Sequence, residues 1–229
     1  KGFPNKVAGV PPDYFSEDGQ LWGNPLFNWK VHKKQNFKWW SLRIKHNLEL
    51  YDCVRIDHFR GFESCWSVPA DETTAKNGQW EKAPGAELFN CIKNELKEIS
   101  IIAEDLGVIT PEVEALLADT GFPGMAVLQF AFGGDSSNPY LPHNLKKNLV
   151  VYSGTHDNDT SLSWYDSLPQ STQEHVRHYL GVSGDTIGWD LFRAAIKSVA
   201  NYAIVPMQDL FSLGAEARFN NPGTESGNW

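Results

Sequence analysis

The sequence predicts an α/β protein of the (β/α)8 TIM-barrel type, and three observations carry that prediction. Short apolar runs alternate with amphipathic helical stretches along the chain. The runs are β-branched and apolar on both faces, the pattern of parallel strands buried on both sides. Acidic residues stand at the carboxyl ends of three runs, the edge where a barrel of this kind carries its active site. A doubly wound open sheet also binds ligands at that edge. Here, however, three strands each contribute a carboxylate and no Gly-rich phosphate loop appears.

Taken in order, the first 37 residues read as loop. A helix pattern spans 38–50, KWWSLRIKHNLEL, with Trp39 and Trp40 read as core. The first apolar run is CVRID, 53–57. Residues 86–98 then place Leu88, Phe89, Ile92 and Leu96 on one helical face. The second run is ISIIAED, 99–105. Thr110 reads as an N-cap, with Pro111 at the first helical position and Glu112 and Glu114 in the first turn. That helix should stop near Gly121. GMAVLQFAF at 124–132 and NLVVYSGTHD at 148–157 are the third and fourth runs. Helices follow at 171–180 and 188–201, the second with Leu191, Phe192, Ala195, Ile196 and Val199 as its apolar set. AIVPMQDLF, 203–211, is the fifth run. Five strands do not close an eight-stranded barrel, so the expectation is a fragment covering roughly strands 4–8.

Composition narrows the partners. The net charge is −8 and no Lys/Arg block occurs, which disfavours nucleic acid and anionic membranes as partners. No apolar run is long enough for a transmembrane helix, and the first residues lack the apolar core of a signal peptide. Three cysteines in no zinc or disulfide spacing suggest reduced thiols, Cys53 and Cys91 buried, in a reducing compartment. That makes the cytoplasm the default, with a plastid the alternative for a plant or algal source. Trp22, Trp66 and Trp80 stand among Gly, Asn and Pro, where flat rings suit stacking on a ligand.

Three segments carry chemistry. In VRIDHFRGF, 54–62, Arg55 and Asp57 are two apart on a strand and project to one face. A buried Arg there would keep the carboxylate ionised, fit for nucleophilic attack or for stabilising a cation. A structural ion pair is the alternative. In IIAEDLG, 101–107, Glu104 ends a buried strand, where partial burial raises a carboxyl pKa as a general acid needs. A satisfied rim carboxylate is the alternative. In SGTHDNDT, 153–160, His156, Asp157 and Asn158 crowd hydrogen-bonding groups past a strand end, which suits sugar hydroxyls or a plain polar turn. Each is ambiguous alone. Together, at the ends of different strands of one sheet, they converge on the carboxylate pair of a retaining glycosidase, about 5–5.5 Å apart, plus a third carboxylate.

These three segments resemble the signatures of the 4-α-glucanotransferases (amylomaltases, or disproportionating enzymes) of glycoside hydrolase family 77. VAGVPPDYFSEDGQLWGNPLFNW, 7–29, is similar to that family's loop over the substrate cleft, and NNPGTESGNW, 220–229, matches as well. The resemblance covers essentially the whole chain. It implies a partial (β/α)8 catalytic domain over 1–229, with 1–37 the substrate-cleft loop region and 38–229 the strand–helix units. It implies transfer of α-1,4-glucan segments to the 4-hydroxyl of an acceptor, with no cofactor and no metal. Asp57 matches the nucleophile, Glu104 the acid/base and Asp157 the transition-state stabiliser. Arg55 and His156 match sugar-binding partners, and Trp22 and Phe130 match aromatic positions along the groove. Asp13, Gln20 and Asn24 lie on the same cleft loop. The earlier segment that supplies the family's first strands has no match here.

Two rival readings stand beside this one. A metal-dependent barrel hydrolase would use His58, Glu104, Asp105, His156 and Asp157, but no H-x-H or H-E-x-x-H pair occurs. A glucan-binding protein without turnover would need no intact acidic trio.

Overall fold

The computed structural model describes residues 2–12, 16–224 and 226–227. The chain divides into two units, residues 1–122 and 123–229. The first opens with strands β1 (Lys6–Val10) and β2 (Gln20–Pro25), then helices α1 (Trp29–Lys34) and α2 (Lys38–Leu50). Strand β3 (Val54–Ile56), a 3-10 turn at Phe59–Phe62, and strands β4 (Ser64–Pro69) and β5 (Gln79–Lys82) follow. Helix α3 (Gly85–Leu96), strand β6 (Ile101–Ala103) and helix α4 (Pro111–Thr120) complete the unit.

Two sheets organise this unit. β3 and β6 form a parallel pair, and β2-β1-β4-β5 form an antiparallel sheet. The core lies beside the parallel pair. Leu88, Phe89 and Ile92 of α3 are buried against Phe59, Phe62, Ile101 and Val113. The Phe89 ring sits 5.5 Å from Phe59, 5.1 Å from Phe62 and 5.3 Å from Phe122. The helix ends follow the sequence signals. Thr110 holds the N-cap position of α4 in extended backbone with Pro111 behind it, but its side chain makes no capping bond to the helix amides, and Gly121 closes the helix at φ 67.

The second unit holds β7 (Gly124–Val127), a 3-10 turn at Leu128–Phe130 and β8 (Leu149–Tyr152). Helices α5 (Ser161–Ser167), α6 (Gln170–Leu180) and α7 (Ile187–Lys197) follow, then β9 (Tyr202–Ile204) and α8 (Met207–Leu210). Its sheet is parallel in the order β7-β8-β9. β7 is buried throughout, and Leu128, Val151, Val176, Ile187 and Leu191 fill the core beside it.

The parallel strands lie where the apolar runs place them, but each is only three or four residues long. The tails of the runs turn into 3-10 or α-helix, as at Leu128–Phe130 and after Pro206. Several expectations are corrected. The first 37 residues are not all loop, since β1, β2 and α1 lie there. β4 and β5 were not expected either. β2 is exposed at nearly every position, so it shows no apolar alternation and is held by backbone pairing. Trp66 and Trp80 face each other across β4 and β5, ring centroids 5.2 Å apart, and Trp66 Nε1 donates to Ala75 O. They pack on the sheet. On α2 Trp40, Ser41 and Ile44 are buried and Leu48 packs beside them, leaving Trp39 exposed. α7 stops at Lys197, so Val199 lies past its end and is exposed, and Ile196 is exposed because the buried face runs through Ile187, Leu191 and Ala195. Cys53 is exposed and Cys91 half-buried, neither thiol fully in the core. The parallel strands fall in two ladders, β3-β6 and β7-β8-β9, rather than in one continuous run.

Phe89→Ala removes the ring on which Phe59, Phe62 and Phe122 pack. It is expected to cost about 3–5 kcal/mol of stability, read as an earlier urea midpoint. An unchanged midpoint would contradict this packing.

Candidate active site

Short-range geometry fixes the site of the first unit. The β3–β6 ladder pairs Val54 with Ile101, Arg55 with Ile102 and Ile56 with Ala103. The next residues on the two strands are Asp57 and Glu104. Adjacent strands run about 4.8 Å apart, so the register sets these two carboxylates side by side. The pairing continues past the ladder: Glu104 N donates to Ile56 O at 2.9 Å and Phe59 N donates to Glu104 O at 2.9 Å.

The two carboxyls meet different surroundings. Asp57 is open to solvent, its side chain 78% exposed, and Arg55 Nη2 donates to its Oδ1 at 2.7 Å. Arg55 and Asp57 share a face as the spacing predicts, but the pair is exposed rather than buried. Glu104 is sunk at the strand end. His58 N donates to its Oε2 at 2.6 Å and Leu106 N to its Oε1 at 2.8 Å. Burial pushes the Glu104 carboxyl above the usual carboxylate range. Those two amides and Arg55 pull it down, and the neighbouring Asp57 charge pushes it up. Each oxygen has two lone pairs, so an amide and a proton can share one.

His58 makes this arrangement possible. Its backbone is left-handed, φ 49, and turns the chain from β3 into the Phe59–Phe62 turn. That bend aims its amide at Glu104. Gly61 keeps the ring's far side free, because a Cβ there would meet His58 Cδ2 at 3.2 Å. Burial, then the Arg60 charge, lowers the imidazole to about 4, against a small upward pull from Asp57. The ring is therefore neutral at pH 7. Trp22 packs edge-on against it, centroids 4.7 Å apart.

A cleft of about 640 Å³ opens here, lined among others by Trp22, Asn24, Phe27, Arg55, Asp57 and His58. Gln20 is tied to the same strand, accepting from Trp22 Nε1 at 3.1 Å. Asp13 lies outside the described residues.

The second unit carries its own polar cluster. His156 and Asp157 follow β8, with Nε2 and Oδ2 3.2 Å apart. Asn220 Nδ2 donates to Asp157 Oδ1 at 2.6 Å, and Arg218 Nη2 donates to Asp157 O at 2.9 Å. Asn220 N also donates to His156 O at 3.1 Å. Asn158 is a turn residue: its Oδ1 accepts from both Thr155 N and Thr155 Oγ1 at 2.8 Å. Phe130 is exposed after β7, its ring edge-on to Tyr140 at 5.7 Å, and Asn138 Nδ2 holds its carbonyl. Among the described residues no group of three His, Cys, Asp or Glu side chains is placed to hold a metal. Sequence reasoning gave Arg218 and Asn220 no role. They lie some sixty residues from Asp157, and only the NNPGTESGNW match pointed toward that stretch. His58 entered only as a metal ligand, although it directly follows Asp57.

Comparisons with known proteins agree on one family. Residues 3–229 match the family described as glycoside hydrolase 77, 4-alpha-glucanotransferase. The chain is 54% identical to the chloroplastic/amyloplastic 4-alpha-glucanotransferase of Arabidopsis thaliana, covering 100% of this chain and 40% of that protein. It is 53% identical to the 4-alpha-glucanotransferase of Clostridium butyricum, covering 99% and 47%. The fold matches an amylomaltase from Streptococcus agalactiae solved with acarbose. The TM-score is 0.95 at 42% identity over 99% of this chain and 46% of that one. The Corynebacterium glutamicum amylomaltase, 18% identical, shares the fold at TM-score 0.80, covering 98% of this chain and 38% of that one. The barrel-type fold read from the sequence is thus the observed one, and the chain spans less than half the length of these relatives. No helix among the described residues is long and apolar enough to cross a membrane.

The half-buried His58 makes stability depend on pH. The unfolded chain binds a proton on this ring near 6.5 and the folded chain near 4. The unfolded state therefore holds more protons between those values, and stability falls as pH falls from 6.5 to 4. The loss is about 3 kcal/mol. His58→Asn tolerates the left-handed backbone and cannot take up the proton. Urea midpoints should fall less steeply for it over that window, and equal slopes would contradict a buried neutral ring.

Proposed function

Because the chain belongs to the 4-alpha-glucanotransferase family, we propose that the full-length protein moves α-1,4-glucan segments to the 4-hydroxyl of an acceptor glucan or glucose. The mechanism is retaining double displacement. Glu104, protonated, gives its proton to the glycosidic oxygen as Asp57 attacks the anomeric carbon through Oδ2. The leaving glucan departs with that proton, and a covalent glycosyl-enzyme forms on Asp57. Glu104, now a carboxylate, takes the proton of the incoming 4-hydroxyl, and the acceptor oxygen displaces Asp57. Two inversions preserve the α configuration.

The observation that carries this reading is the pairing of unlike carboxyls on neighbouring strand ends. A half-buried acid whose pKa is raised by burial suits proton transfer to a leaving group. An exposed carboxylate held by Arg55 at one oxygen suits attack. Trp22 and Asn24 on the cleft wall suit a stacked and hydrogen-bonded sugar chain, with Gln20 beside them and Asp13 on the same segment. In this reading Asp157 and His156 grip hydroxyls of the distorted sugar, and Phe130 lines the groove. The substrates proposed are maltooligosaccharides and amylose. The compartment proposed is the cytoplasm, or the plastid for a plant or algal source.

Incubating the full-length protein with maltotriose tests this. Glucose together with longer maltodextrins is expected. Glucose and maltose alone would mean a hydrolase, and binding without products would mean a glucan-binding protein. Glu104→Gln should lower the rate by about 10²–10⁴-fold.

A further inference from the structure

Asp209 is a buried carboxylate that the proposed mechanism does not use. It is 2% exposed and sits in α8, the short helix after β9. Three donors meet it, all of them neutral groups. Ser153 Oγ donates to Oδ2 at 2.6 Å, Ser161 Oγ to Oδ2 at 2.7 Å and Ser161 N to Oδ1 at 2.7 Å. Both serines are fully buried. These three hydrogen bonds satisfy polar oxygens that burial would otherwise leave without partners.

The donors are placed with a pattern. Ser153 directly follows β8, and Ser161 is the first residue of α5. Between them lies the loop 154–160, which carries His156 and Asp157. Asp209 thus ties both ends of that loop to one point. Ser161 N is among the first helical amides, which have no partner within the helix, and negative charge is favoured there. Thr160 caps the same end through Ser163 N. The loop is braced further along by Gln129 Nε2, which donates to Asp159 O at 3.0 Å, and by the Thr155–Asn158 turn. Asp209 is itself backed by α7, whose Gly188 leaves no space for a Cβ against the Asp209 carbonyl.

We propose that Asp209 is a positioning residue for Asp157, acting through Ser153 and Ser161 to fix the span and orientation of the 154–160 loop. The proposal rests on the glucan-transfer reading for its kinetic consequence, but not for its structural one. If Asp157 acts on the distorted sugar, a slackened loop lowers turnover more than it weakens substrate binding. A shift of about an ångström at such a group can cost on the order of 10²-fold in rate.

The test uses the full-length protein with Asp209→Ala, Asp209→Asn and Ser153→Ala. Two readouts are taken: kcat and KM on maltotriose, and hydrogen exchange of the peptide covering 154–160. Asp209→Ala should lower kcat by about 10–10²-fold with KM little changed. It should speed exchange in 154–160 while β7 and α6 keep their protection. Asp209→Asn, which keeps an acceptor for Ser161 N, should restore much of the loss, and Ser153→Ala should fall between. Wild-type kcat and exchange in Asp209→Ala would overturn the proposal, as would faster exchange spread evenly over the unit with wild-type turnover in the other two variants. If Asp209→Ala does not fold, the other two decide, and wild-type exchange in both overturns it. An unsubstituted protein that makes no transfer products overturns the proposed function instead, and the exchange data still decide what Asp209 does.

Discussion

The first unit's chemistry depends on three residue pairs, the parallel ladder of β3 and β6. Its register makes Asp57 and Glu104 the next residues on neighbouring strands. A slip of one residue would turn one of the two carboxyls to the opposite face. The ladder is short, and two more backbone bonds beyond it, from Glu104 N and Phe59 N, hold the register where it matters. The aromatic core of Phe59, Phe62, Phe89 and Phe122 packs beside it. Core packing and site geometry therefore share the same few residues.

The unlike behaviour of the two carboxyls follows from where the chain turns. After Asp57 the left-handed His58 bends the backbone into a 3-10 turn. This leaves Asp57 at the cleft while sending the His58 amide toward Glu104. A left-handed non-glycine residue costs roughly 1–2 kcal/mol, and burying a neutral imidazole adds an acid-labile element. Both costs fall on the residue whose amide holds the Glu104 carboxyl. That concentration of local strain at one position is what a functional site would show.

How much of this was legible depended on the range of the interaction. The five parallel strands and the helices between them announce themselves through apolar periodicity, so the positions of Asp57, Glu104 and Asp157 after strands could be read directly. The antiparallel sheet could not. β2 is exposed at nearly every position, and β4 and β5 are short strands joined through the polar stretch ADETTAKNG, 70–78, so the sheet is held mainly by backbone pairing around a small Val7, Val68 and Ala75 cluster and carries little apolar signal. Trp22, read as loop, is a strand residue packed on His58. Exposure differs from expectation where a helix face is narrow, as at Trp39 and Ile196, or where the helix stops early, as before Val199. The bonds that hold Asp157 and its loop come from Arg218, Asn220 and Asp209, which are 48 to 63 residues from their partners. No local pattern encodes contacts of that reach.

The proposed mechanism requires Asp57 as nucleophile beside Glu104 as acid/base. Removing the base while supplying a donor that needs no acid should strand the intermediate. The direct measurement is therefore peptide mass mapping of full-length Glu104→Gln after reaction with α-maltosyl fluoride. A glycosyl adduct is expected on the peptide carrying Asp57, absent from the Asp57→Asn, Glu104→Gln double variant. No adduct, or an adduct carried by another residue, would contradict the mechanism.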